Sequence, residues 1–256
     1  MIDVPFPVEA PYAMRPNLRP WTETDSVLIV DEQFDYYIAE KQKFYDPVYG
    51  DNASQELIGA AIQALSRLDP TAPNPCGLDG RVWELSMNMQ EDWVIWAPNR
   101  EGELSPQVLS VCLPSGWNPR EKVNLSFLKM HEPVPDFDLV NRAADNIARM
   151  ITEKGPFIRH VWTVTNSSEL NRLPGRCREW QNESLDDMWF RCERQMTIPI
   201  DGYAALFLIR VYMQPLTRIM AIPQRRELIV ESINSMSDAV LAYKNLSYVK
   251  DFFSRV

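Results

Sequence analysis

The chain has 256 residues, 45% of them hydrophobic, enough to bury a sizeable core as one large domain or one domain with an appendage, and too apolar for a disordered chain. A net charge of -9 argues against nucleic-acid and anionic-membrane partners, both of which want a basic face. Cys76, Cys112, Cys177 and Cys192 stand far apart with no Cys-x-x-Cys pair, which excludes a written zinc or iron–sulfur site and a disulfide framework. The first residues hold no basic region followed by an apolar one, and no apolar run reaches membrane length. A cytoplasmic protein with free thiols is therefore expected.

Five prolines within residues 1–24 forbid a helix there, while the apolar side chains among them argue against a free tail, so this stretch reads as an extended arm lying on the body. Ser26 to Phe44 reads as a turn and then a helix. Ser54 is a serine N-cap in front of Gln55–Leu68, whose apolar residues recur at helical spacing. Asp69 to Gly80 is a connector rich in proline, and a helical segment is expected over Arg81 to Gln90. Trp93–Trp96 and Gln107–Cys112 predict two strands joined as a hairpin.

After a turn at Pro114–Trp117 comes a helical run from Pro119 to Met130, then His131, then Pro133 and Pro135. Proline fixes φ and supplies no donor, so His131 is a positioned imidazole at the end of a helix. Asp138 to Lys154 predicts an amphipathic helix ended by Gly155–Pro156, and Phe157 to Thr165 a strand. Trp189–Ile200 and Ala204–Met213 predict an antiparallel pair around the turn residues Asp201 and Gly202. Helices over Arg225–Ser235 and Met236–Lys244 close the chain. The fold class is α+β, with an antiparallel sheet covered on one side. No glycine-rich phosphate loop is present, so reducing power, where needed, comes from another chain.

Only two histidines occur, His131 and His160. His131 reads either as a half-buried residue capping a helix end, where the dipole favours a cation, or as an axial ligand to a haem iron. His160, inside a strand, reads as structural or as the alternative ligand. Arg210 lies in the apolar strand Phe207–Tyr212 and needs a partner, either a protein carboxylate such as Glu193 or a propionate. By strand alternation Arg191, Glu193 and Gln195 share one face and Arg194 takes the other. On strand alternation alone Glu193 reads as pairing with a neighbouring cation across strands.

Several segments in order along nearly the whole chain resemble the haem-binding alpha subunit of haem-dependent oxidative N-demethylases, also called dimethylamine monooxygenases. They are Asn17–Pro20, Gln90–Asp92, Pro114–Trp117 with Glu121 and Lys122, His131–Pro135, Arg159 with Trp162, Glu193–Gln195, Phe207–Tyr212, and Tyr243 with Lys244. The resemblance implies a single domain over residues 1–256: the arm at 1–24, a mainly helical part at 25–90, and a sheet-containing, haem-binding part at 91–256. It implies a PAS-like antiparallel sheet with helical cover, haem b, and oxidation of dimethylamine by O2 to methylamine and formaldehyde. Electrons then come from NADPH through a partner reductase carrying FMN and a [2Fe–2S] centre.

On this likeness His131 is the iron ligand, with Arg210, Arg194, Trp117 and Lys122 as further cofactor-binding residues. Glu193 is the catalytic and amine-binding residue, and Tyr212 and Trp162 are core aromatics that also wall the substrate pocket. One departure stands out. Val161 occupies the place where the family carries asparagine, which removes an amide from the pocket and bears on the substrate. A PAS-like module that senses haem or a small ligand without turnover is the alternative reading, and an attached output domain, for which 256 residues leave no room, would distinguish it.

Overall fold

Asp201 and Gly202 both adopt left-handed φ, 51° and 78°, and the tight turn they make joins the two longest strands of the molecule. In this computed structural model, which describes residues 4–75, 81–135 and 137–255, those strands are β6 (Trp189–Ile200) and β7 (Ala204–Pro215). The others are β1 (Arg19–Pro20), β2 (Val48–Tyr49), β3 (Asp92–Pro98), β4 (Leu104–Ser110) and β5 (Phe157–Thr165). They form one antiparallel sheet in the order β1-β5-β6-β7-β3-β4-β2. With its helices this is an α+β fold.

One face carries the even-numbered residues of β6 and β7. Met196, Ile198, Leu206 and Leu208, with Trp93 and Ile95 of β3, pack on α2 (Gln55–Leu68) and α3 (Arg81–Met87). The Ser54 hydroxyl accepts from the Leu57 amide at 3.1 Å and starts α2 where the periodicity places it. Farther along the same face Trp162, Phe190, Cys192 and Tyr212 pack on α6 (Leu216–Met220), α7 (Pro223–Asn234), α8 (Asp238–Lys244) and α9 (Ser247–Phe253). Val4 and Val8 of the arm are buried in this second cluster.

Cover on one side only, as expected from the sequence, is not what the chain builds. Val94, Trp96, Leu109 and Ala205 on the opposite face pack against Phe127 and Met130 of α4 (Phe127–His131) and Ile147 and Ile151 of α5 (Phe137–Glu153). Central strands that are apolar on both faces require both to be covered. Tyr37 of α1 (Phe34–Phe44) fills the edge of β7 that β3 leaves open, donating its hydroxyl to the Val211 carbonyl at 2.8 Å.

The helix expected from Pro119 to Met130 is also broken. Only a 3-10 turn at Pro119–Glu121 and the short α4 form, because Asn124 takes a left-handed φ of 60° between them. The backbone amide of Asn124 donates to the Pro106 carbonyl at 3.2 Å and its side-chain oxygen accepts from the Asp51 amide at 3.0 Å, which ties the segment to the sheet edge. Ser126 then caps a fresh helix. Helices α6 and α9 are further elements that the sequence pattern did not single out. Cys76 and the end of the Asp69–Gly80 connector lie outside the described residues. Cys112, Cys177 and Cys192 are free thiols.

Candidate functional site

Odd-numbered residues of β5 and β6 point to the face that α4 and α5 cover, and there the apolar floor gives way to polar side chains. Register places Arg159 opposite Gln195 and Val161 opposite Glu193. The Arg159 Nε donates to Gln195 Oε1 at 2.6 Å, and Gln195 Nε2 donates to Glu193 Oε2 at 2.9 Å. Ser115, on the turn after β4, donates its hydroxyl to Glu193 Oε1 and accepts from Arg191 Nε at 2.6 Å. Arg191 spends its other nitrogens on the Leu170 and Leu113 carbonyls at 2.9 and 2.8 Å. A continuous chain thus runs from Arg191 through Ser115, Glu193 and Gln195 to Arg159. Both oxygens of Glu193 are fixed by neutral donors, with the Arg191 guanidinium 3.7 Å away.

His131 closes this face from above. Its Nδ1 lies 2.7 Å from the Phe127 carbonyl one helical turn back, and its ring stacks on Phe127 at a centroid distance of 4.2 Å. A carbonyl accepts only from N–H, so this contact puts the proton on Nδ1 and leaves the Nε2 lone pair free. Burial lowers the His131 pKa; the Phe127 carbonyl opposes that, and the charges of Arg159 and Lys122 add to it. Burial thus disfavours the charged form of the imidazole, while its Nδ1 satisfies a carbonyl of the same short helix.

Trp117, Phe127 and Met130 line the adjoining apolar wall with Phe207. Tyr243, at the end of α8, is half exposed, and its pKa is raised by partial burial, with the charge of Arg159 lowering it and that of Glu193 raising it. Thr197 lies two residues beyond Gln195 on the same face, and its Oγ1 is buried with no hydrogen-bond partner.

Among the residues singled out in the sequence, Trp117 and the α4 segment that carries His131 pack over the side of the sheet to which Glu193 also points. The structure separates Arg210, Arg194, Tyr212 and Trp162 from them. Arg210 pairs with Asp31 Oδ2 at 2.6 Å, with its guanidinium over the Tyr37 ring at 3.9 Å. Its partner is thus a protein carboxylate other than Glu193. Arg194 donates to the Ser26 and Val27 carbonyls and holds down the chain after the arm. Trp162 and Tyr212 belong to the core on the far face, where Trp162 stacks on Phe190. His160 shares that far face with Arg194, and burial first, then the charges of Arg194 and Arg19, push its pKa down to about 4.

Arg159, Gln195 and Ser115 are the site members that sequence reasoning gave no role. Only the β5–β6 register reveals that Arg159 and Glu193 are neighbours. A groove of about 1260 Å³ between residues 21–30 and 67–75 touches none of these side chains. No cluster of metal-binding side chains occurs among the described residues, and no described helix is long and apolar enough to cross a membrane.

The family model for haem-dependent oxidative N-demethylase, alpha subunit-like, matches residues 82–253, about two-thirds of the 256. The chain belongs to this family. The match begins within α3 and ends with α9, so it spans the sheet from β3 to β7, the helices from α4 to α9 and every member of the site above. The family description indicates dependence on haem and an alpha subunit that works with a partner subunit.

Proposed function

We propose that the chain is the haem-binding subunit of an oxidative N-demethylase acting on a small secondary amine such as dimethylamine, and that it holds haem b with His131 Nε2 as the axial ligand to iron. The observation that carries this reading is the Nδ1 contact of His131 with the Phe127 carbonyl, which leaves a neutral, oriented nitrogen on the same face as Glu193. The residues present fit such a group: a neutral imidazole, an apolar wall of Trp117, Phe127, Met130 and Phe207, and the Arg159 guanidinium, with no protein carboxylate within ion-pair distance among the described residues. The antiparallel centre with helical cover supports the PAS-like part of the expectation.

Haem, when bound, supplies the activation of O2. The reaction then balances as dimethylamine, O2, two electrons and two protons giving methylamine, formaldehyde and water. The electrons come from a partner subunit bearing FMN and a [2Fe–2S] centre and drawing on NADPH. Glu193 accepts the N–H bonds of the ammonium substrate, and Ser115 and Gln195 fix its oxygens beside the Arg191 guanidinium. Val161 stands directly across from Glu193 and presents methyl groups where the family has an amide, which favours an N-methyl substituent over a polar one.

An absorption spectrum of the protein with haem tests the ligand. A Soret band that shifts or disappears in His131→Ala and stays in His160→Ala is the expected result; the reverse pattern overturns the assignment. With a reductase supplied, formaldehyde release from dimethylamine tests the activity, and no release from any secondary amine removes the demethylase reading.

A further inference from the structure

Four arginines project from the central strands into the protein, and three of them are spent. Arg191 gives its terminal nitrogens to the Leu170 and Leu113 carbonyls, Arg194 to the Ser26 and Val27 carbonyls, and Arg210 to Asp31 and the Val211 carbonyl. Arg159 differs. Only its Nε is engaged, with Gln195 at 2.6 Å, and its two terminal nitrogens meet no acceptor among the described residues.

The nearest carboxylate does not quench it because that carboxylate is itself held elsewhere. Glu193 is a diagonal neighbour across the β5–β6 pair, but its two oxygens are held by Ser115 and Gln195. Gln195 therefore works as a spacer, bonded to the cation at one end of its amide and to the anion at the other. Thr197 is the diagonal neighbour on the other side of Arg159, and its buried hydroxyl lacks a partner as well. A guanidinium fixed through Nε presents its remaining N–H groups as a planar fork, the geometry that matches the two oxygens of a carboxylate. Leaving such a group half-buried without an acceptor is costly, and an incoming anion removes the cost.

We propose that Arg159, flanked by Thr197, is a carboxylate-binding site on the His131 face, and that its ligand is carried in by a bound molecule. Two sources share this chemistry. One is a propionate of the haem that His131 holds, which would make Arg159 a cofactor-positioning residue in place of Arg210 and Arg194; this arm rests on the function proposed above. The other is the carboxylate of an N-methylated amino acid whose ammonium meets Glu193, which makes the substrate a zwitterion.

The test compares wild type, Arg159→Gln and Arg159→Lys in two titrations, with circular dichroism and thermal unfolding to show that each variant is folded. The first follows the Soret band on adding iron protoporphyrin IX or its dimethyl ester, which lacks the free carboxylates. The second measures calorimetric binding of N-methylglycine and of its methyl ester. Loss of a charge-assisted, two-pronged bond weakens binding by about tenfold to a hundredfold. That loss is expected in Arg159→Gln for one of the two acids and not for its ester, with Arg159→Lys in between because it keeps the charge and loses the fork. Loss confined to the porphyrin acid assigns the propionate, and loss confined to N-methylglycine assigns the substrate. Wild-type protein that binds neither acid, or an Arg159→Gln variant that binds both as wild type does, overturns the proposal. Wild type that binds N-methylglycine through Arg159 but no porphyrin in either form removes the haem reading while this site stands.

Discussion

Replacing Arg210 by methionine separates the cations that hold this fold from those that face a ligand. The guanidinium donates to Asp31 Oδ2 at 2.6 Å and to the Val211 carbonyl at 2.7 Å, and lies over the rings of Tyr37 and Tyr212 at 3.9 and 4.9 Å. Both members of the ion pair are buried. In Arg210→Met, Asp31 keeps the Gln33 amide and the Gln90 side chain on Oδ1 and has nothing left on Oδ2. Removing one partner of a buried pair costs about 3–5 kcal/mol. The bonds that Asp31 retains put the expected loss near the lower end, about 3 kcal/mol, or roughly 6–12 °C in Tm for a chain of this size. Urea and thermal unfolding read it. The double variant Arg210→Met/Asp31→Leu, which removes both members of the ion pair and leaves buried Glu91 in place, recovers part of the loss in a double-mutant cycle. Haem affinity of the folded Arg210→Met protein equals that of wild type. A loss under about 1 kcal/mol, a double variant no better than the single one, or haem affinity that falls in the folded variant each refutes the reasoning.

His160 tests a pH dependence. Its folded pKa of about 4 lies below the unperturbed value of about 6.5, so its contribution to stability is fully present above about pH 6.5 and is lost as pH falls through 4. His160→Asn flattens the urea midpoint across that window, and an unchanged slope sinks the attribution. Gly202 has φ +78° with nothing within 4 Å of an added Cβ, so Gly202→Ala costs only the backbone term, about 1 kcal/mol by urea unfolding. A cost of several kcal/mol there points to a contact that the structure does not hold.

Much of the fold is legible in the sequence where local signals agree. Gln55–Leu68 has a capping serine, a helical repeat and a proline-rich exit; Phe157–Thr165 has a run of β-branched residues after Gly155 and Pro156. The failures have identifiable causes. Residues 119–130 carry good helix formers, but Asn124 is drawn out of the helix by bonds to Pro106 and Asp51 that only the assembled sheet provides. The short α6 and α9 are set by packing against the far-face core more than by propensity.

The site is legible as parts and not as an arrangement. Alternation along one strand is visible in a sequence, so Arg191, Glu193 and Gln195 fall together with Arg194 opposed to them. Which face receives the His131 segment, and how β5 is registered on β6, are tertiary facts. Once the register is fixed, a two-residue period sorts the strand residues. Trp162, Arg194, Arg210 and Tyr212 go to the face sealed by the arm and by α6 to α9, where Arg194 and Arg210 find partners in the loop at residues 26–31. Arg159, Val161, Glu193, Gln195 and Thr197 go to the opposite face, where Arg191 finds carbonyl partners and the terminal nitrogens of Arg159 do not. A charge that stabilises the fold must be neutralised by the protein itself, whereas one that recognises a ligand must be kept from that neutralisation. Gln195, bonded at once to Arg159 and Glu193, maintains that separation, which is the arrangement the carboxylate-binding proposal requires of this face.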